Sequence, residues 1–226
     1  MSMKRVLIFF ALALALPVRA VRMPSLQPAK KFTVMLAPTG DAKTTGRIID
    51  KNFERWIAWE FARAVKEQVE RDAPQVCVVM SRGPGEVVYP LQAANFANRL
   101  GVDLFVSIHF YCETGVRPRC TFYRFSRGDD FVSLGQGLAF HPYDRAHLLA
   151  GNQTASFATQ MHDLFCSETY QKQFDVRGPY AMPFGPLVGV CAPAVGIEMS
   201  TKAADGWRAY VAPLAGSIGM LAHRGA

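Results

Sequence analysis

Three side chains are of types that do chemistry and stand where their neighbours make them conspicuous: His109, Glu198 and Glu54. His109 closes the run Leu104-Phe-Val-Ser-Ile-His-Phe110, apolar apart from Ser107 and His109 itself. Glu198 lies within Ala194-Val-Gly-Ile-Glu-Met199, where a carboxylate is costly to bury without a partner. Glu54 opens a helical pattern just after a long polar loop. Each has an ordinary reading when taken alone. A single His at a strand end is most often a hydrogen-bonded core residue, and a Glu in a first helical turn complements the helix dipole. Together they describe a different chemistry. A His with one or two carboxylates from separate segments can hold zinc, and a remaining carboxylate can deprotonate the metal-bound water, whose pKa the ion lowers toward about 7.

The segments that must position these residues alternate between strand and helix. Phe32 to Leu36 reads as a buried strand, followed by a polar loop over 37–49 with Gly40 and Gly46. Residues 53–70 read as a helix, because Phe53, Ile57, Phe61, Ala64, Val65 and Val69 recur at helical spacing. Val76 to Met80 is a second strand, Gly83-Pro84-Gly85 a turn, and Leu91 to Leu100 a short helix ended by Gly101. Leu104–Phe110 and Thr121–Phe125 are further strands. Residues 126–151 carry four glycines and two histidines without a clear period and read as an inserted loop. Asn152 to Thr169 reads as a helix, 177–191 is rich in Pro and Gly, Ala194–Met199 is the last strand and 205–223 the closing helix. Near-continuous apolar strands alternating with helices predict an α/β fold. Its mainly parallel twisted sheet has about six strands, with helices on both faces. Sites in such sheets form outside the carboxyl ends of the strands.

Composition narrows the classes. Of 226 residues, 50% are hydrophobic and 19% charged, which excludes a disordered chain, a collagen-like repeat and a coiled coil. The net charge of +7 suits anionic partners, but no Arg/Lys-rich helix or aromatic RNA platform is present, so nucleic acid is not an expected partner. Met1 to Ala20 has a basic start (Lys4, Arg5), an apolar run of 11 residues from Val6 to Leu16, and Pro17 before Val18-Arg19-Ala20. That is the pattern of a secretory signal, and the run falls short of the roughly 20 residues a membrane span needs. The expected division is a signal peptide over 1–20, a linker over 21–31 and one catalytic domain over 32–226. The mature protein is then periplasmic or secreted, without stable membrane insertion. The five cysteines form no CxxC pair, so a zinc ribbon is not expected. Cys112 and Cys120 flank a polar turn and are candidates for pairing in an oxidising compartment.

The order of segments resembles the zinc-dependent N-acetylmuramoyl-L-alanine amidases, from about Phe32 to the C-terminus. The residues that carry the resemblance are Thr33-Val-Met-Leu36, Glu54-Arg55, Val78-Val-Met-Ser-Arg82, Leu91 through Ala97, Val102-Asp-Leu-Phe-Val-Ser-Ile-His109, Arg177-Gly178 and Pro193-Ala-Val-Gly-Ile-Glu-Met199. The Asp-Leu-Phe-Val-Ser-Ile-His run is the most specific of these. In that family a His after the first strand, a Glu at the first helix and the His of the Ser-Ile-His segment hold zinc, while a Glu on the last strand acts on the water. The resemblance therefore implies Glu54 and His109 as zinc ligands and Glu198 as the catalytic acid–base. Aligning on Asp50 instead puts Arg55 into the core stripe of the helix, so Asp50 ranks second to Glu54. Arg177 matches a family Arg-Gly and is a candidate to bind a peptide carboxylate of the substrate.

The chain departs from the family at the first ligand. Its turn after strand one reads Ala37-Pro-Thr-Gly-Asp-Ala-Lys-Thr-Thr-Gly46, without a His. Asp41, Asp50, His141 and His147 are the candidates to complete the ligand set. The resemblance implies an exported hydrolase that cleaves the amide between N-acetylmuramic acid and L-alanine in peptidoglycan by zinc-activated water. The missing His supports an alternative: a non-catalytic homologue that binds peptidoglycan or regulates a partner. A zinc peptidase with another amide substrate ranks third. No activator protein is identifiable from the sequence.

Overall fold

Side chains alternate across a strand, and that alternation sorts the core into two layers around one sheet. The computed structural model describes residues 31–115, 117–128 and 142–225. The expected signal peptide and nearly all of the linker, together with residues 129–141 of the insertion including His141, lie outside them. The strands are β1 (Phe32–Pro38), β2 (Ile48–Ile49), β3 (Asn52–Phe53), β4 (Val76–Met80), β5 (Leu104–Cys112), β6 (Arg119–Phe125), β7 (Asp175–Met182) and β8 (Ala194–Thr201). The helices are α1 (Glu54–Asp72), α2 (Gln92–Leu100), α3 (Gly151–Phe165) and α4 (Val211–Gly225).

Six strands form the main sheet in the order β4-β1-β5-β8-β6-β7. All neighbours run parallel except β6 and β8, which are antiparallel. One face carries Val34, Leu36, Val106, Ile108, Phe110, Val195 and Ile197, buried under Ile57, Phe61 and Val65 of α1 and apolar residues of α3 and α4. The other carries Met35, Ala37 and Phe105, covered by Ala94 and Ala97 of α2 with Leu187 and Val190. The expected two-sided α/β sheet is the observed one.

Local differences have physical reasons. The Pro- and Gly-rich stretch after Arg177 contains most of β7. This is an edge strand paired only with β6, a position that tolerates both residue types. Gly178 is required there: its φ is +90°, and a Cβ would stand 2.4 Å from the Phe122 carbonyl oxygen. The described end of the insertion, Tyr143–Ala150, is a 3-10 helix that runs directly into α3. Cys112 is exposed, Cys120 is buried, and both are free thiols. Among the described residues no helix is long and apolar enough to cross a membrane.

Candidate functional site

The strand-borne half of the site follows from register. Parallel pairing of β5 with β8 sets His109 opposite Glu198, on the α2 side of the sheet at the carboxyl ends of both strands. His109 Nε2 is 2.8 Å from the Ser107 hydroxyl, two residues earlier on the same face. The ring of Phe184 packs edge-on against His109 at 5.3 Å and lies flat on Tyr123 at 4.8 Å. Gly196 makes room for it, since a Cβ there would come within 2.6 Å of Phe184. The Tyr123 hydroxyl donates to Glu198 Oε2 at 3.2 Å. Burial pushes the His109 imidazole down to about 4, the nearby Arg47 charge adds to this, and Glu198 opposes it. The ring is therefore neutral at physiological pH. A cavity of about 320 Å³ opens beside His109 and Ser107, with Thr39, Asp41 and Tyr89 on its far walls.

The loop-borne half is built from backbone hydrogen bonds. The buried Asp41 carboxylate accepts from the amides of Lys43 (2.7 Å), Thr44 (2.5 Å) and Val88 (3.0 Å). Those amides, Thr44 first, outweigh the cost of burial and hold its pKa below the ordinary carboxylate value. Arg82 is buried beneath the same loop and donates to the carbonyls of Pro38, Thr39 and Arg55. At the far end of the loop Gly46 has φ +75°, and a Cβ there would lie 2.8 Å from Glu54 Oε2. This glycine lets the backbone reach Glu54, whose Oε2 accepts the Arg47 amide at 3.0 Å. Glu54 Oε1 accepts the Phe110 amide at 2.9 Å. The first-helix carboxylate thus ties the loop to the end of β5.

Arg47 joins the two halves. Its guanidinium Nη1 donates to Glu198 Oε1 at 2.7 Å and to the Phe110 carbonyl at 3.1 Å. Burial alone would lower its pKa, but the hydrogen bond and charge of Glu198, with Glu54 adding, raise it above the ordinary value. The structure therefore links Glu54 and Glu198 through Arg47, the first by its backbone amide and the second by its guanidinium, while His109 stands opposite Glu198 in the sheet. Nothing in the apolar periodicity pointed to Arg47; the available signal was a basic residue directly after a glycine in the polar loop. Tyr123 and Phe184 were missed for a similar reason, since each looks like an ordinary strand or loop aromatic.

The other candidates lie apart from this cluster. Asp50 sits in the exposed turn between β2 and β3, with φ +46°, and accepts the Ala204 amide at 3.3 Å. His147 packs edge-on against Phe125 at 4.6 Å and lines a different cavity. Arg177 is opposite Thr121, which is itself opposite Glu198, so it stands two strands away from the acid–base residue in the same row. Its guanidinium pairs with Asp175 at 3.0 Å.

A zinc ion needs at least three protein ligands in a catalytic site. Among the described residues no group of three or more His, Cys, Asp or Glu is arranged to hold a metal ion. Both Glu54 oxygens and His109 Nε2 already have protein partners, and a guanidinium pairs with Glu198. The donor set as arranged does not fit zinc.

A carboxylate and a histidine at the carboxyl ends of parallel strands, beside a cavity in a two-sided α/β sheet, define a candidate active site of the strand-end type. Solved structures share the fold. The catalytic domain of CwlV, an N-acetylmuramoyl-L-alanine amidase from Bacillus (Paenibacillus) polymyxa var. colistinus, matches with a TM-score of 0.58 at 18% identity, covering 84% of this chain and 97% of that one. An N-acetylmuramoyl-L-alanine amidase from Clostridium difficile 630 matches with 0.59 at 16% identity, covering 88% and 99%. Ami1 from Mycobacterium smegmatis matches with 0.58 at 18% identity, covering 84% and 97%. A search of curated proteins finds no match. The family model for N-acetylmuramoyl-L-alanine amidase matches residues 34–201. The chain belongs to that family, which is generally zinc-dependent.

Proposed function

We propose that the chain acts on peptidoglycan at the amide between N-acetylmuramic acid and L-alanine, with Glu198 as the acid–base residue. The observation that carries this reading is the in-register pair of His109 and Glu198 at the strand ends of an amidase-family sheet. Glu198 takes a proton from the attacking water and returns it to the leaving nitrogen. Tyr123 and Arg47, one on each carboxylate oxygen, fix its orientation. Neutral His109, held by Ser107 and Phe184, lines the cavity next to Glu198 and orients the stem peptide there. Arg177, in the same row, is the candidate for a peptide carboxylate once it releases Asp175. When bound, zinc supplies Lewis acidity and an activated water to such a reaction; the arrangement here does not fit it, and none of these steps runs through it. Export by way of residues 1–20 belongs to the same proposal, since the substrate lies outside the cytoplasm.

One observation favours a second reading, peptidoglycan binding without hydrolysis: the Arg47 guanidinium already engages the acid–base carboxylate. Incubation of the purified chain with insoluble peptidoglycan separates the two. The first reading predicts soluble stem peptides with a free L-alanine amine, lost in Glu198→Gln. Co-sedimentation without release selects the second, and neither result would remove both.

A further inference from the structure

Zinc chemistry at this centre would place a cation beside Glu54 and His109, next to the water on which Glu198 acts, and the chain already carries a cation on Glu198. We infer that the Arg47 guanidinium is the resident cation of the site and stands in place of a metal ion.

Four observations support this. Arg47 binds Glu198 through its side chain at 2.7 Å and Glu54 through its amide at 3.0 Å, so the loop that carries it is anchored to both carboxylates. The guanidinium also accounts for the Phe110 carbonyl, one residue past His109. Its position depends on Gly46, whose left-handed backbone and missing Cβ let the chain pass against Glu54. Finally, the turn that supplies the family's first ligand has no His, and its one acid, Asp41, is filled by three backbone amides. The loop that lacks a histidine ligand is thus the same loop that brings a positive charge to Glu198. A divalent ion placed beside Glu198 would meet the guanidinium at short range, and although Arg47 is 52% exposed, Glu198 is only 22% exposed, so solvent screens the repulsion between the two cations only in part.

The consequence concerns metal affinity and does not depend on whether peptidoglycan is cleaved. Wild-type protein purified without chelator, analysed for zinc by elemental analysis, should hold far less than one ion per chain. Competition against a chromophoric chelator should show Arg47→Ala binding zinc at least tenfold more tightly than wild type. The gain should disappear when His109→Ala is added, which assigns it to this site rather than to the free thiols. Arg47→Lys, which retains the charge, should stay as weak as wild type. Arg47→Gln, which removes the charge but keeps part of the stem and a hydrogen-bond donor, serves if the alanine variant does not fold, and should gain affinity in the same direction. About one zinc per wild-type chain, lost in His109→Ala, would overturn the inference. So would equal zinc affinity in Arg47→Lys and Arg47→Ala, because the charge would then not be what keeps the ion out.

Discussion

The two halves of the site differ in how they are made. On the β5–β8 side, His109 and Glu198 are placed by strand register and held by side chains: Ser107, Phe184 and Tyr123. On the β1–α1 side, placement comes from a loop whose amides converge on Asp41 and Glu54. A sheet fixes a residue's row and face whatever its neighbours do, so register alone sets His109 opposite Glu198. A loop can vary without disturbing the sheet, and here it carries Arg47 to Glu198. Function diverges most easily where backbone geometry is not dictated by the sheet.

Four outcomes test this contrast, from the largest effect to the smallest. The first loads the strand half. His109 is neutral in the fold with its pKa pushed down to about 4, against 6.5 unfolded. The unfolded chain therefore binds more protons below pH 6.5, so stability is complete above 6.5 and falls by about 3 kcal/mol as pH drops toward 4. Urea titrations across that range should show the loss, and His109→Gln should flatten it.

The second strikes the junction of the halves. Gly46→Ala combines a left-handed backbone with a clash against Glu54 and should cost about 2–3 kcal/mol. Gly85→Ala, with φ +77° and open space around it, isolates the backbone part and should cost about 1 kcal/mol. Equal losses would mean that the close approach to Glu54 is not tight. The third compares two acids of the loop half. Asp41→Ala leaves three amides without their acceptor and should destabilise by about 2 kcal/mol. Asp50→Ala, in an exposed turn, should stay within about 0.5 kcal/mol. The smallest effect is expected at Arg177→Ala: its ion pair with Asp175 is 54% exposed on the arginine side, and stability should change by less than about 1 kcal/mol. Any loss of peptidoglycan affinity in that variant would then report recognition rather than folding.

The same contrast explains what could be read from the sequence. The run ending in His109 and the lone acid among Val195, Ile197 and Met199 stand out because buried strands leave polar residues few reasons to be present. Glu54 was legible from the start of a strong helical period. The edge strand β7 was hidden by Gly178 and Pro179, whose composition signals a loop while its place at the sheet edge tolerates both. Arg47 was hidden more deeply. Its decisive partner, Glu198, is 151 residues away, and a basic residue in a polar loop has no periodicity to betray it. The absence of a His from residues 37–46 is legible in the sequence, whereas the Arg47 contacts to Glu54 and Glu198 are visible only in the fold.

Either an arginine or a metal ion supplies the positive charge at the strand ends. Crystals of the wild-type chain grown with excess zinc, with anomalous data collected on both sides of the zinc edge, decide between them most directly. With arginine in that role, no anomalous peak lies within bonding distance of Glu54, His109 and Glu198, and Arg47 is still paired with Glu198. A strong peak coordinated by those side chains, with Arg47 displaced, would contradict that role.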